Sequence, residues 1–196
     1  CKHLMKKDRV MKRLIPQFGD AALQTRGDAF TTLARSIVGQ QISVKAADSV
    51  WSRFVSVVGA VTPGRVAELG REGLEGCGLS KRKIEYLADL AGHFLSGQLA
   101  PAGWAAHDDE AIIAELVAVR GIGRWTAEMF LIFNLMRPDV FPLDDIGLQR
   151  AIFLRYFNGE KQPRRAISAF GERWRPWRSV ATWYLWRSLD PVPVAY

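Results

Sequence analysis

The chain has 196 residues, 48% of them hydrophobic and 24% charged, and its 27 lysines and arginines against 20 aspartates and glutamates leave a net charge of +7. That is enough chain for the core of one domain or a two-lobed unit, and no apolar run reaches the ~20 residues of a membrane span. Two cysteines, Cys1 and Cys77, offer neither a disulfide framework nor metal-ligand spacing, while the positive excess points to a polyanionic partner.

Apolar residues recur at helical spacing along nearly the whole chain and nowhere alternate as in a strand, so the expected class is all-α. Asp8 can cap a first helix over residues 8–17. A second helix covers 30–38 and breaks at Gly39-Gln40-Gln41, after which Ser43 can cap a third that ends near Val58. The Pro- and Gly-rich stretches at 63–78 and 97–103 read as loops. Between them Ser80 can cap a helix with Ile84, Leu87, Ala91 and Phe94 on one face, stopped by Gly97. Two further helices, 109–119 and 123–136, flank Gly121-Ile122-Gly123. Asp144 or Asp145 opens another through Phe157, and Pro163 and Pro176 fit the first position of two final helices. Trp51, Trp104 and Trp177 read as core. No secretory leader is visible, a start at Cys1 implies residues lost upstream, and the cysteine usage suits a reducing compartment.

The glycine pair is the most informative feature. Gly121 and Gly123 permit a tight turn and bring bare N–H groups to the surface. Those amides open the second helix, whose dipole also favours an anion. Such a loop is suited to gripping one phosphate of a nucleic-acid backbone, with Arg124 as an adjacent cation and Ile122 as the apolar residue between the glycines. Downstream, Asp144 and Asp145 both stand where a helix N-terminus keeps a carboxylate ionised. On chemistry alone either could stabilise the positive charge that builds on a sugar as its base departs.

Gly121-Ile122-Gly123-Arg124-Trp125-Thr126-Ala127 is followed by Val140-Phe141-Pro142-Leu143-Asp144-Asp145-Ile146-Gly147-Leu148-Gln149-Arg150. Ile37-Val38-Gly39-Gln40-Gln41-Ile42-Ser43 lies upstream, as does Gly78-Leu79-Ser80 with Lys83 and Tyr86-Leu87, and Arg173-Trp174-Arg175-Pro176-Trp177-Arg178-Ser179 closes the series. In this order and spacing the segments resemble the helix-hairpin-helix (HhH-GPD) DNA glycosylase superfamily over residues 30–186. The hairpin itself is similar to the 3-methyladenine DNA glycosylase II branch. The resemblance implies one glycosylase domain over 1–196, made of two helical lobes with a cleft between them. The middle lobe would be residues 29–137, including the hairpin at 109–136; the second would be 1–28 plus 138–196.

The resemblance also distributes roles. It makes Asp145 the catalytic carboxylate, because the family's aspartate lies five residues before a helical arginine, here Arg150. Trp125 stands where strand-cutting members carry a lysine nucleophile, so water would attack and the strand would stay intact. Trp125 and Trp186 fall at base-pocket positions, where aromatic faces favour cationic alkylated purines. Met129 and Ile146 fall at two more, which are tyrosines in the larger bacterial enzyme. Gly121, Ile122, Gly123, Arg124 and Thr126 would bind DNA, and Gln41 would fill the gap left by a flipped base. Lys45, His107 and the Lys81-Arg82-Lys83 run are candidates for phosphate contact. The expected partner is double-stranded DNA with damaged bases, met by a monomer in the cytoplasm, or in the nucleus of a eukaryote. No membrane contact is expected. Nor is an iron–sulfur cluster or side-chain metal site; a monovalent cation on the hairpin's backbone carbonyls is the one ion implied. The alternatives are the same fold acting on another lesion class and a non-catalytic helix-hairpin-helix DNA-binding module.

Overall fold

Among the described residues every regular element is helical. The structure, a computed structural model, describes residues 1–19, 22–25 and 27–189. The chain divides into two compact units, residues 26–130 and residues 1–25 with 131–195. The division falls inside a helix, whereas the sequence reading sets it at 137.

The unit over 26–130 is built on α3 (Ala29–Gly39), α4 (Val44–Val58), α5 (Pro63–Leu74), α6 (Lys81–Leu95), α7 (Asp109–Val117) and the start of α8 (Arg124–Phe133). Five of these begin on a side-chain cap: Asp28, Ser43, Thr62, Ser80 and Asp108 each accept an amide of the first turn. Such caps contribute about 1 kcal/mol each and set the chain's entry into the helix. Phe30, Leu33 and Ile37 of α3, Phe54 of α4, Leu87 and Leu90 of α6, and Ile112 and Leu116 of α7 are buried at helical spacing. Trp104 is buried as expected, its ring edge-on to Phe130 and its indole donating to Glu115 Oε2 at 2.7 Å.

Of the two loops expected here, 63–78 needs correction, while 97–103 is irregular up to residue 100. Residues 63–78 contain α5, started by the Thr62 cap and Pro63 and anchored by buried Val66 and Leu74. Its glycines gave the appearance of a loop, yet only Gly70 (φ +58°) breaks the helical geometry. Residues 97–103 lead into a 3₁₀ turn, Pro101–Ala106, held by Trp104.

The second unit contains α1 (Lys2–Lys7), α2 (Arg9–Leu14), α9 (Ile146–Tyr156), α10 (Arg164–Gly171) and α11 (Arg178–Arg187), with short 3₁₀ turns at Ile15–Phe18 and Glu172–Trp174. Asp8 does cap a helix, α2, but α1 precedes it as a separate helix, and the last turn before Gly19 is 3₁₀. Pro163 is the residue before α10 instead of its first. Pro176 lies ahead of Trp177, which precedes α11 and is 41% exposed, so Trp177 is not core. Trp51 is only half-buried. Trp174 takes the central place, fully buried among Phe141, Tyr156 and Phe170. The hairpin helices are also shorter than expected, α7 ending at Val117 and α8 at Phe133. The sequence-based second lobe runs to 196, and its residues 190–196 lie outside the described ones.

Candidate active site and nucleic-acid interface

Asp144 and Asp145, which chemistry alone leaves level, part company in three dimensions. Asp144 is exposed, and Arg164 grips it with Nε on Oδ1 at 2.8 Å and Nη2 on Oδ2 at 3.1 Å. Asp145 is 7% exposed and is the N-cap of α9. Its Oδ1 accepts the Leu148 amide at 2.5 Å and the Trp186 indole N–H at 2.8 Å. Two donors thus meet on one oxygen at the N-terminus of a helix and fix the orientation of the carboxylate. Asp145 is therefore a buried, oriented carboxylate, and Asp144 is a surface ion pair.

The surroundings hold that carboxylate in place. The Asp145 amide donates to Pro142 O at 3.0 Å, and Gln149 Nε2 reaches Leu143 O at 2.8 Å, which closes the turn before α9. Farther back, the buried Ser179 Oγ donates to Arg137 O and accepts from the Val140 amide, pinning the connector that leads to it. Arg178 and Arg175 both pair with Asp139. Arg175 and Arg178, which flank Pro176-Trp177, thus serve this connector. Trp186 is half-buried, with its ring stacked on Phe133 at 5.9 Å between centroids and 17° between planes. Gly147 fills the space between: a Cβ there would lie 3.2 Å from Asp145 Oδ1 and 3.3 Å from Trp186 Cδ1. Sequence reading gave Gly147 no role, because its demand for a small residue comes from a side chain 39 positions away. Ile146, expected in the base pocket, is 82% exposed at the start of α9.

The hairpin lies in the other unit. Gly121 has φ +86°, and the Tyr86 ring packs where a Cβ would be, so only glycine fits. Ile122 is 3% exposed; its side chain anchors the loop in the core, and its amide is taken by Val119 O at 3.1 Å. As a DNA contact Ile122 is therefore corrected: the side chain faces inward. Gly123 stands ahead of α8 and brings no side chain to its first turn, Arg124, Trp125 and Thr126. Trp125 is 39% exposed in that first turn, and Met129, one turn on, is buried.

Arg124 also departs from expectation. Its guanidinium holds Glu110 with two nitrogens and reaches Glu128 Oε1 at 3.0 Å. These bonds raise its pKa above the ordinary arginine value, the bond to Glu110 most, and lower that of Glu110. The charge offered to a phosphate thus ties α7 to α8. Lys83, likewise a candidate for phosphate contact, donates instead to Val38 O at 2.7 Å. His107 pairs with Glu115. Gln41 is exposed at the α3–α4 turn, in the left-handed region at φ +59°. Lys45 is exposed on the first turn of α4. Among the described residues no cluster of three or more His, Cys, Asp or Glu is placed to hold a metal, and no helix is long and apolar enough to cross a membrane.

Residues 34–176 match the HhH-GPD superfamily of base excision DNA repair proteins. The chain belongs to that superfamily. Its crystal-structure neighbours include a DNA-3-methyladenine glycosidase from Bacillus halodurans, 36% identical, with a TM-score of 0.89 over 96% of this chain and 88% of that one. A 3-methyladenine DNA glycosylase from Schizosaccharomyces pombe, solved with abasic DNA, is 31% identical, with a TM-score of 0.80 over 95% and 94% of the two chains. A DNA-3-methyladenine glycosylase of Bacillus subtilis is 32% identical over 83% of this chain. The chain spans 57% of that relative's length, and 59% of a second Bacillus subtilis relative's. The superfamily match includes Gln41, the hairpin and Asp145, and stops short of Trp186.

Proposed function

We infer that the protein is a base-excision DNA glycosylase that hydrolyses the N-glycosidic bond of alkylated bases of the 3-methyladenine type and leaves an abasic site. The observation that carries this reading is Asp145, a buried carboxylate oriented by the Leu148 amide and the Trp186 indole inside the superfamily match. As the bond from the sugar to the base breaks, the electron pair leaves with the base and positive charge develops on the sugar. Asp145 stabilises that charge. Water then forms the new bond to the sugar carbon, and its proton passes to Asp145 or to solvent.

Trp125 offers no amine, so no Schiff base forms and the strand remains uncut. Trp125, one turn before Met129 on α8, would present an aromatic face to an electron-poor base, and so would Trp186. The amides of Gly123, Arg124, Trp125 and Thr126, beside the Gly121 turn, would grip a backbone phosphate, and Gln41 would occupy the emptied stack. Lys6, Lys7, Arg9 and Lys12 are exposed and have no acidic partner among the described residues, which supports general attraction to a polyanion. The carbonyls of Val119, Gly121 and Gly123 already accept from Ile122 N, Gln40 Nε2 and Ala127 N. Their second lone pairs would hold a monovalent cation, which would stiffen the loop. We take the working form to be a monomer acting in the compartment that holds the DNA.

A panel of duplexes, each bearing one defined lesion, tests the reading. Alkylated purines should be released as free base, with strand breaks appearing only after heat or alkali. Covalent trapping of protein on DNA by borohydride would contradict it, and so would the absence of any released base.

A further inference from the structure

Gln40 stands beside the residue assigned to the emptied stack, and the reading above uses it only as a donor to the Gly121 carbonyl. Its Nε2 donates to Gly121 O at 2.8 Å, across 81 positions of sequence. That bond joins the turn between α3 and α4 to the turn between α7 and α8.

One face of α6 supports the same pair of turns. Lys83 Nζ caps Val38 O, a carbonyl that the end of α3 leaves without a helical partner. Partial withdrawal from water lowers the pKa of that ammonium. Tyr86 packs under Gly121, and Asp89 Oδ2 accepts the Arg120 amide at 2.8 Å. Lys83, Tyr86 and Asp89 recur at three-residue spacing, so they line one side of α6. Gln41 meanwhile holds a left-handed backbone that is unfavourable for any residue but glycine, and such a conformation persists only where its neighbours impose it.

We propose that Gln40 is a positioning residue: its amide locks the turn that carries Gln41 against the hairpin, so that insertion into the stack and the grip on the phosphate act at one fixed spacing. This rests on the assignment of Gln41 and the hairpin to DNA. If the two turns moved independently, their spacing would have to be ordered during base extrusion, which would shorten the life of the flipped state. A neutral amide suits the task. It donates to a carbonyl without placing an anion beside the phosphates, as a glutamate would.

The test is single-turnover excision of one lesion in two duplexes, one where it is paired and one where it lies opposite an abasic position and costs little to extrude. Gln40→Ala and Gln41→Ala should each slow the paired lesion about tenfold and the unpaired one less than about twofold. The double variant should be no slower than the slower single one, because Gln40 acts through Gln41. Gln40→Met, which keeps the length and loses the donor, should behave as Gln40→Ala. Wild-type rates in Gln40→Ala would overturn the proposal, as would multiplied effects in the double variant. Equal slowing on both duplexes with a lowered melting temperature would also overturn it, by making Gln40 merely structural. If Gln41→Ala excises both lesions at the wild-type rate, the assignment of Gln41 and this proposal fall together. Base release that is abolished in Asp145→Asn would then show that the glycosylase reading survives.

Discussion

Asp8 and Asp145 occupy the same kind of position in the same unit, and the contrast between them bears on the role proposed for Asp145. Each is a helix N-cap, each is 7% exposed, and each receives a tryptophan indole N–H. Around Asp8 both oxygens are occupied: Oδ1 accepts the Val10 and Met11 amides, and Oδ2 accepts the Tyr156 hydroxyl and the Trp174 indole, each at 2.9 Å. Burial beside that carboxylate pushes the Tyr156 phenol well above its ordinary pKa, so it stays a donor. Trp174 is fully buried and meets the Phe170 ring edge to face. Around Asp145 the Leu148 and Trp186 donors meet on Oδ1, and the neighbouring residues of α9 are an exposed isoleucine and a glycine. Burial and capping alone therefore do not separate the two carboxylates; what differs is their surroundings, an aromatic cluster at Asp8 and the start of α9 at Asp145.

The sharpest way to break this comparison is to neutralise each carboxylate. Asp145→Asn should lower the single-turnover excision rate by roughly 10²–10³ or more, with little change in melting temperature, because the amide loses the charge that meets the sugar cation. Asp8→Asn should do the reverse. The Tyr156 hydroxyl can turn to accept from the new amide, but the Trp174 N–H has no such option and is left facing a donor. The expected cost is about 1–3 kcal/mol, or roughly 2–10 °C in melting temperature, with activity per folded molecule retained. If both variants lose activity without losing stability, the distinction between the two sites fails.

Exchanging the indoles gives a smaller effect of the same kind. Trp186→Phe keeps a ring against Phe133 and removes the donor to Asp145, so excision should slow by about 1 kcal/mol, or roughly fivefold, at unchanged stability. Trp174→Phe should cost about 1–3 kcal/mol of stability, read by thermal or urea unfolding, and leave the rate alone. Gly147→Ala sharpens the picture at Asp145. Alanine is the better helix former by up to about 1 kcal/mol, yet its methyl group would press on the Asp145–Trp186 bond. Excision should fall several-fold while the melting temperature holds or rises; an unchanged rate would mean that Trp186 shifts at no cost. The smallest effect belongs to the exposed neighbour. Asp144→Asn should stay within about 0.5 kcal/mol in stability and leave excision nearly unchanged, since an exposed ion pair contributes little.

How far these features could be read in advance follows from the range of the interactions behind them. The all-α class, the caps at Asp8, Ser43 and Ser80 and the glycine hairpin were legible because they rest on residues within one helical turn of each other. Residues 63–78 were misread for a related reason: local glycines argue for a loop, and only the burial of Val66 and Leu74 by other helices overrides them. Arg124 was misread because its partner Glu110 lies on the preceding helix, where spacing cannot show that two side chains face each other. Asp145 was distinguished from Asp144 only through a family's spacing, and the structure supplies an independent physical reason in a bond from Trp186, 41 positions away.

The sequence by itself determined the helical class, the positions of most helix starts, the excess of positive charge and the positions of the α3–α4 and hairpin turns, all of them local or compositional properties. Tertiary structure alone decided which aspartate is buried and oriented, that Ile122 faces inward, that Arg124 and Lys83 are committed to protein partners, and that Gln40 joins one turn to another. Each of those depends on which side chains meet across 14 to 81 positions of sequence. A chain's pattern of neighbours says where its helices begin, but folding chooses the partners of their polar groups, because every buried donor and acceptor must find one.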